Sequence, residues 1–214
     1  MWTTLIAVAV LGLASLVGWG VWQSQKTASY ATPAGVTDDG GRDAGLLAAG
    51  AGPVTVEVYL DFLCPVCRQF ETTVGPTLDQ LVAQQKIRLV WHPLGFLDEL
   101  STTRYSTRSA SSAGCASDGG KLKPYGDALF VQQPPEGSPG LSDNQLIEIG
   151  GTVGLNQPSF AQCVRDGKYV DWVAHVNDMA ARRGVNGTPT VYVNGTLVAD
   201  RTAAGITAAV NAAG

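Results

Sequence analysis

Between residues 54 and 67 the chain changes its hydrophobic period, and two cysteines sit at the change. Val54, Val56, Val58 and Leu60 alternate with Thr, Glu and Tyr, the period-two pattern of a strand. From Cys67 onward, Phe70, Val74, Leu78 and Leu81 recur at three- and four-residue spacing. That spacing predicts a helix over residues 64–85 with Pro65 in its first turn, where proline is tolerated. Pro76 removes one amide donor from the middle of this helix and is expected to kink it. Cys64 and Cys67 therefore share the first turn of a helix that follows a strand. Unpaired amides and the positive end of the helix dipole favour thiolate there, and two sulfurs on one turn can bridge each other.

Two other readings fit a Cys-x-x-Cys pair: half a zinc site and an inert bridge. A zinc site normally shows a second close ligand pair, but Cys115 and Cys163 are isolated and the only histidines are His92 and His175. No metal is expected. The redox pair Cys64–Cys67, with no external cofactor, is the reading pursued.

Residues 87–91 read as a second strand stopped by Pro93. Residues 101–183 are helical and loop-like, with helical segments over 104–116, 125–131, 143–150, 159–164 and 170–183. Strand chemistry returns at Thr190–Val193, turns on Asn194-Gly195 and resumes over residues 196–199, a strong hairpin signal. An Ala-rich helix over Ala203–Ala213 comes last.

The first charged side chain is Lys26, and residues 5–22 are an unbroken run of apolar, Gly and Ser residues. At about 1.5 Å per residue this run just spans a bilayer core of about 30 Å. Trp2, Trp19 and Trp22 fall near its ends, as amphipathic rings do at the interface. Residues 1–22 are read as an uncleaved membrane anchor, with a cleaved secretory signal as the alternative. Either one exports the rest of the chain. Residues 23–52, rich in Ala, Gly, Thr and Asp without periodicity, read as a flexible linker, and residues 53–214 as the folded domain. Four cysteines, an even number, suit an oxidising compartment. A net charge of −4 with 14 scattered Lys and Arg offers no basic stripe, so nucleic-acid binding is not expected.

Asp61-Phe62-Leu63-Cys64-Pro65-Val66-Cys67, the helical insertion, and Gly184-Val185-Asn186-Gly187-Thr188-Pro189-Thr190 before a hairpin together resemble the DsbA-like branch of the thioredoxin superfamily. The likeness covers roughly residues 53–214 and is nearest to actinobacterial membrane-anchored members. It implies an α/β thioredoxin-like fold with a helical insertion at about 101–183, preceded here by one transmembrane helix. It also implies that Cys64 is an exposed nucleophile, Cys67 its buried partner, and Thr188-Pro189 a cis-proline loop that presents its backbone to substrate. Relatives carry a second cysteine pair placed like Cys115 and Cys163. A structural disulfide between these two, 48 positions apart, would close a loop worth about 4 kcal/mol by chain entropy.

The implied activity is disulfide formation in exported, cysteine-bearing proteins at the extracytoplasmic face of the cell membrane, with reoxidation by a DsbB- or VKOR-type membrane partner. A reductase or isomerase, and a non-catalytic anchored chaperone or binding module, are the alternatives. Two departures temper the comparison. Val66 stands where many relatives have histidine, and Val58 where many have an acid. Glu57 and Asp61 lie nearby, each read as a surface or strand-end carboxylate able to tune the thiol if buried.

Overall fold

Val54–Leu60, the strand with the clearest alternation, is buried along its whole length rather than on one face. It is β2, the centre of a five-stranded sheet, and the thiol-bearing helix leaves its end. The computed structural model describes residues 30–37 and 45–214, and every element named here lies in the unit Ala31–Gly214. The anchor expected at residues 1–22 falls outside the described residues. Among the described residues no helix is long and apolar enough to cross a membrane.

In chain order the elements are β1 (Leu46–Ala49), β2, α1 (Pro65–Ala83), β3 (Ile87–Pro93), a 3-10 turn (Asp98–Leu100), α2 (Tyr105–Asp118) and α3 (Leu122–Val131). Beyond these come α4 (Asp143–Thr152), α5 (Pro158–Arg165), α6 (Val170–Arg182), β4 (Thr190–Val193), β5 (Thr196–Leu197) and α7 (Ala203–Ala213). The sheet order is β1-β3-β2-β4-β5. Strands β2 and β3 run parallel, joined by the α1 crossover, and the other neighbours are antiparallel. Parallel strands need such a crossover, and burial on both faces explains why β2 carries so many apolar residues. Helix α1 runs through Pro76 and buries Cys67, Phe70, Val74, Leu78 and Leu81, the stripe its spacing predicts. It packs on β3 and against α7, which lies on β2 and β4.

The linker reading of residues 23–52 is corrected where the structure describes them. Leu46–Ala49 is an edge strand on β3, Leu46 is fully buried, and Val36 bridges to Leu46. The Ala34 amide donates to Asp118 Oδ1 at 2.8 Å. A four-residue edge strand is too short to show a period, and its pairing partner lies more than forty residues away, so composition alone pointed to a tether. The hairpin also differs from expectation: β5 stops at Leu197, while Asn194 and Gly195 take the positive φ values of 44° and 79° that a tight hairpin turn requires.

The insertion is five helices, α2 to α6. Helix α2 touches α3, α5 and α6 and is almost wholly buried despite its serines. Two of those serines satisfy themselves on the helix backbone: Ser109 Oγ donates to Tyr105 O at 2.7 Å and Ser112 Oγ to Ser109 O at 2.7 Å. Cys115 of α2 and Cys163 of α5 are joined as a disulfide, with Cα atoms 5.9 Å apart. Replacing both with serine lowers stability by about 2–4 kcal/mol, read as a lower urea midpoint. Equal midpoints would mean that the helix packing holds the loop without the bridge.

Candidate active site

Cys64 is the N-cap of α1, with extended backbone (φ −71°, ψ 116°) and Pro65 as the first helical residue. No side chain caps this helix and no acid occupies its first turn. The free first-turn amides and the dipole are therefore left to the sulfur. Cys64 and Cys67 are both free thiols in the structure, with relative exposures of 6% and 1%. The expectation of an exposed Cys64 is thus corrected: the residue is covered, and what reaches solvent is Val66 beside it, at 54%. The apolar neighbours divide the same way, Phe62 and Leu63 being core.

The covering segment is Thr188-Pro189, whose peptide bond is cis. Cys64 Sγ lies 3.5 Å from the Thr188 carbonyl oxygen, to which the thiol donates. Arg201 holds the Pro189 carbonyl through its guanidinium. Beside the motif runs a groove of about 540 Å³ lined by Val66, Phe70, Val74, Pro189, Ala199 and Arg201. Its lining mixes apolar side chains with polar ones such as Gln69 and Thr73, and the backbone carbonyl of Thr188 stands next to the sulfur, an edge suited to an extended chain.

The two thiols are electrostatically unlike. The Cys67 thiol beside Cys64 lowers the Cys64 pKa to about 5 against the opposing effect of burial, and Thr188 and the first-turn amides of Cys67 and Val66 add to it. Burial pushes Cys67 well above the usual thiol value, and the neighbouring Cys64 sulfur pushes it further. One sulfur is poised as a thiolate and the other as a thiol. Among the described residues no group of three His, Cys, Asp or Glu could hold a metal ion.

Gln133 carries no signal in the sequence, while Glu57 and Asp61, expected as surface or strand-end carboxylates, are placed differently by the structure. Gln133, just past α3, donates from Nε2 to both Phe62 O (2.9 Å) and Cys64 O (3.0 Å), pinning the loop from the helical insertion. Nothing local marks it, because its partners are some seventy positions away. Asp61 and Glu57 are buried rather than superficial, at 0% and 5% exposure. Asp61 Oδ1 accepts from the Leu63 amide at 2.8 Å, the two-residue side-chain turn that Asp commonly makes, which is a signal the sequence did carry. Glu57 forms a two-pronged pair with Arg183 at the end of α6, both oxygens at 2.8 Å. Arg183 also donates to Tyr59 at 2.8 Å and lies over the Tyr192 ring. His92, stacked on Tyr59 at 4.1 Å, places Nε2 3.4 Å from Glu57.

A dithiol at the start of the helix that leaves a central strand, opposed by a cis-proline, is the arrangement of thioredoxin-like proteins. The family model described as "Thioredoxin" matches residues 47–212, and the chain belongs to that family. Among solved structures it is similar to the reduced disulfide bond oxidoreductase DsbG of Mycobacterium tuberculosis, at 31% identity and TM-score 0.68, over 77% of this chain and 83% of that one. Oxidised DsbA of the same organism matches at 32% identity and TM-score 0.67, over 78% and 87% of the two chains. Both agree with the DsbA-like resemblance read from the motifs. Among curated proteins, the serine/threonine-protein kinase PknE of Mycobacterium tuberculosis is 26% identical over 167 residues, which is 73% of this chain and 29% of the kinase. The chain thus spans less than a third of that relative's length.

Proposed function

We propose that the chain is a protein thiol–disulfide oxidoreductase that works as an oxidase of exported proteins, held at the outer face of the membrane by residues 1–22. The observation that carries the reading is the split between the Cys64 thiolate and the Cys67 thiol at one helix start. In the oxidised state a substrate thiolate attacks Cys64 Sγ, and Cys67 leaves and takes a proton. A second substrate thiolate then attacks the substrate sulfur of the mixed disulfide, and Cys64 leaves as thiolate, a good leaving group because it is a weak base. Two electrons pass from the substrate to the pair. Thr188 holds the substrate backbone beside the sulfur, Pro189 shapes the groove, and Cys115–Cys163 serves as the structural bridge. A DsbB- or VKOR-type membrane partner returns the pair to the disulfide. The charge-free run of residues 5–22 and the even cysteine count support the location.

Thiolate absorbance at 240 nm tests the chemistry. Cys64 titrates near pH 5, below the ordinary thiol value. A lowered pKa stabilises the folded dithiol state fully above the ordinary thiol value, and this stabilisation is lost as pH falls through about 5. Relative to an ordinary dithiol, whose thiols stay protonated over this range, the pair is therefore expected to be a stronger oxidant at pH 7 than at pH 4. The direction of transfer is read from the reduction potential: a value near DsbA's roughly −120 mV supports the oxidase, and one near thioredoxin's roughly −270 mV makes the chain a reductase.

A further inference from the structure

We propose that Arg201 determines substrate specificity in the groove beside Cys64: part of its guanidinium clasps the cis-proline loop, and the rest receives a carboxylate side chain of the substrate. The inference deepens the proposed function and rests on it.

The loop over residues 187–189 lies outside the strands, so its carbonyls need donors of their own. Gly187 O accepts from Thr190 Oγ1 at 2.7 Å, and Thr188 O from the Cys64 thiol at 3.5 Å. Pro189 O accepts from Arg201 Nη1, a residue twelve positions further along the chain. Arg201 lies between β5 and α7, so it ties the loop to that connection. The carbonyl it holds belongs to the residue directly after Thr188, whose own carbonyl faces the sulfur.

A guanidinium carries five N–H donors in a planar fork, the geometry that receives a carboxylate on two parallel bonds. Arg201 is exposed and lines the groove, and among the described residues no carboxylate pairs with it. The other charged residue of the lining is Asp200. Its carboxylate is turned away to the start of α7, where Oδ1 accepts from the Thr202 amide at 3.0 Å. A Cβ on Gly205 would meet the carboxyl carbon of Asp200 at 2.5 Å, so that side chain is packed on the helix start. The positive charge in the groove is left unmatched.

Thr188 offers its backbone to an extended substrate chain, and such a chain advances about 3.3 Å per residue. A carboxylate roughly one to three residues from the substrate cysteine therefore comes level with the guanidinium. The favoured substrates are chain segments with Asp or Glu close to the reacting cysteine.

The test uses the full chain in its disulfide form and three reduced peptides, each with two cysteines, that differ only in carrying Asp, Asn or Lys two residues from each cysteine. Oxidation rates are measured for wild type, Arg201→Gln and Arg201→Lys. Comparing ratios between variants cancels differences in thiol reactivity among the peptides. Relative to Arg201→Gln, wild type is expected to favour the Asp peptide over the Asn peptide by roughly three-fold, the scale of an exposed ion pair, and to disfavour the Lys peptide. Arg201→Lys should keep part of this preference, and added salt should weaken it. If Arg201→Gln slows all three peptides by one factor, Arg201 only holds the loop and the specificity role is overturned. If wild type oxidises none of them, the proposed function fails. The affinities of the same peptides with serine for cysteine then decide the inference, and equal Asp-to-Asn ratios in wild type and Arg201→Gln overturn it.

Discussion

Cys64→Ser abolishes disulfide exchange to background, whereas Cys67→Ser cannot hold the internal disulfide and does not oxidise a reduced substrate, but its Cys64 thiolate attacks a disulfide-bearing protein, releases one of that protein's thiolates and accumulates as a mixed disulfide. The two results differ because the sulfurs do different work. Cys64 is the one held low in pKa at the helix start, beside the Thr188 carbonyl. Without its sulfur no bond to substrate can form, since a hydroxyl does not enter thiol–disulfide exchange. Cys67 is buried and held as a thiol, suited to leave and return within the pair. Without it a bond to Cys64 has no internal thiol to resolve it. The measurement is turnover of a reduced, unfolded substrate for the oxidation, together with non-reducing gels of Cys67→Ser mixed with a disulfide-bearing protein for the trapped species. Turnover retained in Cys64→Ser would remove catalysis from the proposed function and leave the chaperone or binding-module reading.

Arg183→Met is expected to cost about 3 kcal/mol of stability, which for a chain of this size is a fall of roughly 6–12 °C in melting temperature. The guanidinium closes both oxygens of Glu57, which is buried in the central strand. Removing it strands a buried anion, and that penalty exceeds the net worth of the pair. The double variant Glu57→Gln with Arg183→Met should recover much of the loss. The pH dependence has a definite sign. Burial pushes the Glu57 carboxyl up, but His92 and Arg183 outweigh it and hold it at about 2. A depressed carboxylate contributes stability that is fully present above the ordinary Glu value and is lost as pH falls through about 2. Wild type and Arg183→Met should therefore converge in melting temperature at strongly acidic pH.

Residues 54–83 show how much of the site is legible from sequence. Alternation, then a four-residue Cys motif, then three- and four-residue spacing foretold β2, α1 and the position of both thiols. Asn194-Gly195 did the same for the hairpin, and both turn residues take the left-handed backbone it needs. These signals are local: a strand face, a helix stripe and a tight turn are each written within about ten residues. The cis-proline contact was reached through resemblance, not through spacing.

What the sequence by itself determined is the Cys-x-x-Cys pair at a strand-to-helix junction, the helical character of residues 101–183 and the strands around them. Only the tertiary structure decided that Cys64 is covered by Thr188-Pro189, that Leu46–Ala49 is a strand rather than tether, and that Glu57 and Asp61 are buried. It also decided that Gln133 and Arg183 reach back across the chain to the loop and to β2. The physical reason is distance along the chain. Secondary structure arises from neighbours a few residues apart, but the burial of a carboxylate depends on which remote elements close over it, and its protonation is set by that burial.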